Sequence, residues 1–394
     1  MNITIVGSGF GGVKTALLLA KNKKNRITII TSSGDFQYYP ALYRVATGYT
    51  RTQAWIPLTD IFEHIKNVTI ITDTIITIDK TQRKLAGEST ASYDYEILIM
   101  ALGAVTTYFG IPGLEQVAYG IKSAGEIKRL HDKLHSEFTY GGKLDAHYVI
   151  VGAGPTGIEL AAALMTYLRS LQKHYKLTDQ KIEIDLIEAA PRVLPKMSEV
   201  TSIRATRRLE KLGINVQVGK AVESATAEIL TVSSQPLESS TVIWTSGVAN
   251  NPFYKANEAS FGLAKNGKVV VDDYLRLEKD IYIIGDNAAT AYSGLAQTAV
   301  RDAEYVAQAI TQFAKHRTPA PYTPKLPPVV VPVDETWAVF EWKSIRISGR
   351  IASLIRLAAD LVGYTDILPL GHAFKIWRHQ KMKDTNYYGQ TKTH

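Results

Sequence analysis

Two glycine clusters of the same spacing carry the first chemical signal in this chain of 394 residues. Gly7, Ser8, Gly9, Phe10, Gly11 and Gly12 fit the pattern G-x-G-x-x-G, and Gly152, Ala153, Gly154, Pro155, Thr156 and Gly157 fit it again. In such a turn the first glycine permits the sharp reversal and the second lets the backbone approach a pyrophosphate. The third lets a helix pack closely on a strand. The helix that follows aims its free N–H groups at the phosphates. One copy alone is a weak signal, because a glycine-rich turn needs no ligand. Two copies, each between a strand-like and a helix-like run, point to two dinucleotide sites.

At the end of the next strand a carboxylate would grip ribose hydroxyls. In the second unit that residue is Glu188, whose charge repels a 2′-phosphate and so favours NADH over NADPH; Arg192, four residues on, works against that preference. The bland alternative for Glu188 is a solvated loop carboxylate. In the first unit the equivalent stretch is Thr31, Ser32 and Ser33, with no carboxylate before Asp35. His131 and His135 stand four apart, as two zinc ligands on one helix do. No third ligand is apparent, and GEIKRLHDKLHSEF reads as an ordinary solvated helix face, so no metal site is expected.

These groups need strands and helices to hold them. Asn2–Gly7, Arg26–Thr31 and Tyr95–Ala101 read as strands, and the pattern restarts at His147 with Ile182–Glu188 and Val242–Gly247. Asp280–Asp286 is a further buried strand, followed by a helix over Leu295–Lys315 and a proline-rich stretch from Pro319 to Pro332. The repeat of strand, turn and helix predicts an α/β fold with two Rossmann-like dinucleotide-binding domains. The sequence contains no cysteine, which excludes disulfides, thiolate zinc sites, iron–sulfur clusters and a redox-active cysteine pair.

The order of GSGFGG, YDYEILIMALGA, GAGPTG, VIWTSGV and IYIIGD resembles that of the two-dinucleotide-binding-domain flavoproteins. The resemblance implies a discontinuous FAD-binding domain over 1–110 and 250–330, an inserted NAD-binding domain over 111–249, and a C-terminal region over 331–394. Within that superfamily the chain resembles type II NADH dehydrogenase, the single-subunit NADH:quinone oxidoreductase. YYPALYRVATG (38–48), GAGPTGIELA (152–161) and LAQTAVRDAEYVAQ (295–308) are similar to segments of that family, and the likeness spans about residues 1–315. It implies FAD contacts at Gly7, Ser8, Gly9, Phe10, Gly11, Gly12, Ala104, Gly285, Asp286, Ala296 and Gln297. It implies NADH contacts at Gly152, Gly154, Pro155, Thr156, Gly157, Glu159, Glu188 and Gly247. Glu159 and Gln297 become the catalytic candidates, with Glu159 positioning the nicotinamide or relaying a proton to quinone; the alternative is compensation of a helix dipole. Gln297 and Arg301 become the quinone candidates. Arg301 replaces the second glutamine of the family's AQxxxQ motif, which either alters quinone access or leaves a residue that simply faces outward.

Formal net charge is +8, and from Glu341 onward nine Lys/Arg stand against four Asp/Glu. Ile351, Leu354, Ile355, Ala358, Leu361 and Val362 follow helical spacing, with Ser353, Arg356 and Asp360 on the other face. DILPLGHAFKIWRHQKMK then mixes apolar and aromatic residues with Lys375, Arg378, Lys381 and Lys383. Such a region suits an anionic membrane surface; covering the body or forming a homodimer are the other readings. A strand beginning at residue 2 or 3 leaves no room for a signal peptide, and no uninterrupted apolar run reaches the ~18 residues of a spanning helix. The expectation is a peripheral protein on the cytoplasmic side of the cell membrane, with no nucleic-acid partner.

The combined expectation is hydride transfer from NADH to FAD and two-electron reduction of a membrane quinone. The rivals are an NADH oxidase reducing oxygen, a reductase of a small redox protein, and a non-catalytic redox sensor that binds NADH and FAD.

Overall fold

A computed structural model describes residues 1–139, 147–177, 181–239 and 241–378. The Ile- and Val-rich runs pair in parallel, as continuous apolar strands covered on both faces do. Asn2–Val6 lies between Arg26–Thr31 and Ile97–Met100 in a six-stranded sheet. Val68–Thr72 extends that sheet on one side and Ile281–Ile283 on the other, with Arg276–Glu278 as an antiparallel edge. Connections depart in opposite directions around Asn2–Val6, which opens a crevice above GSGFGG. A four-stranded parallel sheet repeats the plan, with His147–Val151 between Glu183–Glu188 and Thr241–Trp244, and Ile214–Val218 outside. Between the two sheets the chain runs out through Ala104–Thr106 and back through Val248–Asn250, paired antiparallel.

The Ala124–Thr139 helix corrects one expectation. His131 and His135 do not face solvent; both are buried. They complete an i, i+3, i+4, i+7 stripe with buried Ile127, Leu130 and Leu134. His131 Nε2 lies 2.9 Å from the Ala46 carbonyl, and His135 Nε2 lies 3.0 Å from the Tyr167 hydroxyl. Their polarity is absorbed by the packing of neighbouring helices.

The C-terminal region begins with an antiparallel sheet of Val329–Pro332, Ala338–Trp342 and Ile345–Gly349. Helices Arg350–Thr365 and Leu370–Arg378 follow. Lys381 and Lys383 of the basic tail lie outside the described residues. The first of these helices turns its polar face inward. Arg356, Asp360 and Tyr364 are buried, while Ile351, Leu354 and Val362 are 63, 65 and 60 % exposed. Buried charge requires partners, and the YYPALYR segment supplies them. Asp360 pairs with Arg44 and accepts from Tyr38 Oη at 3.2 Å. Arg356 approaches Asp360 at 3.3 Å and donates to the Pro40 carbonyl at 2.8 Å. Tyr364 stacks on Tyr38 at 4.2 Å and donates to the Gln53 carbonyl at 2.9 Å. Among the described residues no helix is long and apolar enough to cross a membrane.

Removing one partner of a buried ion cluster strands the others, at a cost of about 3–5 kcal/mol. Asp360→Ala, which leaves Arg44 and Arg356 facing one another, is expected to lose stability on that scale in chemical denaturation. A loss under about 1 kcal/mol, the size of an exposed pair, would contradict the structural weight given to the cluster.

Candidate active site

Each glycine turn has the geometry that its sequence demands. Gly7 has φ +108°, and a Cβ there would lie 2.2 Å from the Ala101 carbonyl oxygen. At Gly12 it would meet the Gly7 carbonyl at 2.0 Å, and at Gly157 the Gly152 carbonyl at 1.7 Å. The middle glycines differ: a Cβ on Gly9 or Gly154 would meet nothing within 4 Å and would fill the open side of the turn. Gly9 and Gly154 cap the Phe10–Leu19 and Pro155–Tyr175 helices without a side-chain acceptor. The first N–H groups of both helices are therefore left for a ligand such as a pyrophosphate. Pro155, which has no N–H to satisfy, opens the second helix beside exposed Thr156. Two dinucleotides fit these cradles.

The residues between and beside the glycines divide into backbone and side-chain roles. The Phe10 ring is buried and packs edge-on to Phe36 at 5.0 Å, so only its backbone faces the turn. Ser8 Oγ lies 2.8 Å from Thr31 Oγ1, so hydroxyls occupy the strand end where a ribose carboxylate would stand. Asp35 is instead paired with Arg51 at 3.2 Å. In the second fold Glu188 accepts from the N–H of Ala153 at 2.7 Å and of Ala190 at 2.9 Å, which fixes its carboxylate beside the glycine turn. Arg192 does not turn toward Glu188's ligand side. Its guanidinium donates to the carbonyls of Leu194, Pro195 and Met197 and to Ser202 Oγ, so the expected softening of NADH preference has no free cation behind it.

The IYIIGD strand ends in a polar knot. The Gly285 N–H donates to Asp302 at 2.9 Å. Asn287 donates to the Gly103 carbonyl at 2.7 Å and accepts from its N–H at 2.9 Å, next to Ala104. Burial raises the Asp286 carboxyl, opposed by Lys268 and Lys122, so this acid and two cations face one region. Gly247 has φ +73°, and a Cβ would lie 2.5 Å from the Thr107 carbonyl, a packing reason for glycine that is independent of any ligand. Ala296 and exposed Gln297 open the Ala296–Phe313 helix. Arg301, one turn on, donates to the Lys325 carbonyl at 2.8 Å and ties down the proline-rich stretch.

Glu159 sits in the second turn of its helix and faces a cavity of about 700 Å³ whose lining includes Tyr43, Tyr49, Thr166, Leu354 and Arg356. Gln297 and Arg301 do not line it. Burial pushes the Glu159 carboxyl up to about 7 against the pull of Arg356, 3.5 Å away, and of Arg44. Arg44, Arg356 and Asp360 were not singled out by sequence reasoning as site residues. The signal available was the arginine inside YYPALYR and the i, i+4 spacing of Arg356 and Asp360, which placed that pair on the face opposite the apolar stripe.

Because Glu159 binds its proton more tightly in the folded state, its contribution to stability is complete below its ordinary value of 4.5. That contribution falls as pH rises through about 7. Denaturation between pH 5 and pH 8 is expected to show the native protein losing a few kcal/mol relative to Glu159→Gln; parallel profiles would place its pKa in the ordinary range.

Residues 1–303 match the pyridine nucleotide-disulphide oxidoreductase family. The chain is 29% identical to the type II NADH:quinone oxidoreductase Ndh of Mycobacterium tuberculosis, over 92% of this chain and 84% of that protein. It is 29% identical to NdhA of the same organism, also a type II NADH:quinone oxidoreductase, over 79% of this chain and 72% of that one. The structure of NDH2 from Plasmodium falciparum in complex with NADH superposes with a TM-score of 0.85 at 19% identity, over 98% of each chain. With two glycine turns on two parallel sheets, and with that match across most of its length, the chain belongs to the pyridine nucleotide-disulphide oxidoreductase family.

Proposed function

We propose that the protein is a type II NADH:quinone oxidoreductase with FAD on the first fold and NADH on the second. The observation that carries this reading is Glu159. A carboxyl that titrates near neutrality stands in a cavity shared by the YYPALYR segment, the NAD-fold helix and the C-terminal helix. The two mycobacterial relatives are named for the same reaction.

Held at the Gly7–Gly12 turn and the start of the Phe10–Leu19 helix, FAD would supply the redox chemistry that links oxidation of NADH to two-electron reduction of quinone. NADH, one proton and quinone yield NAD⁺ and quinol, so one proton beyond the hydride must be delivered. Glu159 holds that proton at its carboxyl, and Arg356 stabilises the carboxylate left behind. Glu188 receives the adenosine ribose hydroxyls and disfavours a 2′-phosphate. Gly9 and Gly154 admit the two pyrophosphates, and Asp286 with Lys268 and Lys122 frames the FAD phosphate and ribityl region. Gln297, at an exposed helix start, is offered to the flavin and the quinone head group. Arg301 acts as a tether of the proline-rich stretch rather than as a quinone ligand. With no cysteine in the chain, the acceptor is a diffusible oxidant or a partner protein and not a disulfide of its own.

The exposed row of Ile351, Leu354 and Val362, with Leu370 and Phe374 on the next helix, is the surface we assign to the cytoplasmic face of an anionic membrane. Leu354 belongs both to this row and to the cavity lining, which brings a lipid-dissolved quinone to Glu159. A homodimer would present two such faces.

Anaerobic reduction by NADH, followed by reoxidation with quinones, oxygen or small redox proteins, tests the reaction; quinone is expected to reoxidise the protein fastest. Glu188→Arg is expected to lower the NADH-to-NADPH preference, and an unchanged ratio would remove the ribose assignment. Leu354→Glu with Val362→Glu is expected to reduce co-sedimentation with anionic liposomes while the buried cluster stays intact. Retained binding would move the membrane face elsewhere.

A further inference from the structure

Between Glu188 and the next helix lies a loop to which the reaction above gives no role. Within it Leu194 is buried and has φ +47°, a conformation unfavourable for a branched side chain that needs surrounding contacts to persist. Its N–H donates to the Ala153 carbonyl at 2.8 Å. The Ala153 N–H in turn holds the Glu188 carboxylate. The loop thus grips the middle of the second glycine turn.

Arg192 gathers the loop by donating to three of its carbonyls and to Ser202 Oγ at 2.6 Å. The loop ends at Ser198, the cap of the Glu199–Lys211 helix. There a carboxylate from far along the chain takes hold. Glu341, on the Ala338–Trp342 strand, accepts from Ser198 N–H at 3.1 Å, from Ser198 Oγ at 2.6 Å and from Thr201 Oγ1 at 2.5 Å. Arg346, on the adjoining strand, donates to Ser198 Oγ at 2.8 Å. A second tie, Arg208 to Asp334, joins the same helix to the same region. Burial pushes the Glu341 carboxyl up, but the donors from Ser198 and Thr201 outweigh it and hold it below the usual carboxylate range. An ionised acid at a helix N-terminus is favourable for both the free N–H groups and the helix dipole.

We infer that Glu341 is a positioning residue for the NADH site: through Ser198 and the Arg192–Met197 loop, the C-terminal hairpin fixes Ala153 and Glu188 in the arrangement that receives the adenosine ribose. The inference rests on the proposed placement of NADH on the second fold. It assigns the C-terminal region a second task, apart from any surface it presents: completing the cofactor site of a fold more than a hundred residues earlier.

The test uses the full-length flavoprotein with its FAD content measured. Glu341→Ala is expected to raise the KM for NADH several-fold, with kcat at saturating NADH and the KM for quinone unchanged. Glu341→Gln, which keeps one acceptor oxygen, is expected to recover most of that loss. Ser198→Ala, a milder change, is expected to move KM in the same direction. Combining Glu341→Ala with Arg192→Lys is expected to give less than the product of the single effects, because both act on one loop. An unchanged NADH KM in Glu341→Ala and Ser198→Ala, or strictly multiplicative effects, overturns the inference. Glu188→Gln separates the two levels. If it raises the NADH KM and Glu341→Ala does not, only the role of Glu341 fails. If it too leaves the KM unmoved, the NADH placement fails and the inference with it.

Discussion

Asp360 is the group around which the molecule closes. Two guanidinium groups, Arg44 and Arg356, converge on it in the interior, and each belongs to a different part of the chain. Neither arginine can be buried without the carboxylate, and the carboxylate cannot be buried without them. The C-terminal helix is therefore held to the first fold by charge as well as by Tyr364 stacking on Tyr38. Arg356 extends the cluster to Glu159 on the second fold. With Glu159 protonated the four groups carry one excess positive charge; with it ionised they balance. Burial opposes ionisation and the excess charge favours it, and that opposition leaves the carboxyl poised near neutrality.

The family takes its description from disulphide chemistry, yet this sequence contains no cysteine. What the chain has is the nucleotide-holding machinery: two turns in which the outer glycines are compelled by close contact, from the Ser246 side chain at Gly152 and from backbone carbonyls at the others, while the middle ones leave room. The Glu159 carboxyl in the cavity is opposed by the charges of Arg356 and Arg44, with no thiol anywhere in the chain.

Much of this plan was legible in the sequence, because the apolar runs and glycine turns are local signals. Arg26–Thr31 and the strand ending at Glu188 stand where the Ile-rich patterning put them. The predicted Leu295–Lys315 helix begins one residue later because Leu295 keeps an extended backbone as its cap. The histidine pair was misread since polarity suggested solvent, although the i, i+3, i+4 spacing with Ile127 and Leu130 pointed inward. The inward polar face of Arg350–Thr365 was not legible, because its partners come from residues 38–44 and no local pattern announces a pairing across three hundred positions. Glu341 and Ser198 were hidden for the same reason.

If the protein binds a membrane as proposed, the inverted packing of the Arg350–Thr365 helix sets how deep it can sit in the lipid phase. A helix that is free to roll can sink its apolar side and drift from the body. This one is anchored by Arg356 and Asp360 underneath, so it offers its exposed outer side chains, Ile351, Leu354 and Val362 foremost, beside Leu370 and Phe374 of the next helix. On the proposed reading the protein rides the bilayer like a shallow keel, and immersion ends at about the 5–10 Å of the headgroup boundary. The quinone ring must then climb to meet it while its tail stays below. Turnover would accordingly respond to the ring's freedom to rise, and lipids that stiffen the headgroup layer would slow the reaction without touching a single residue of the site.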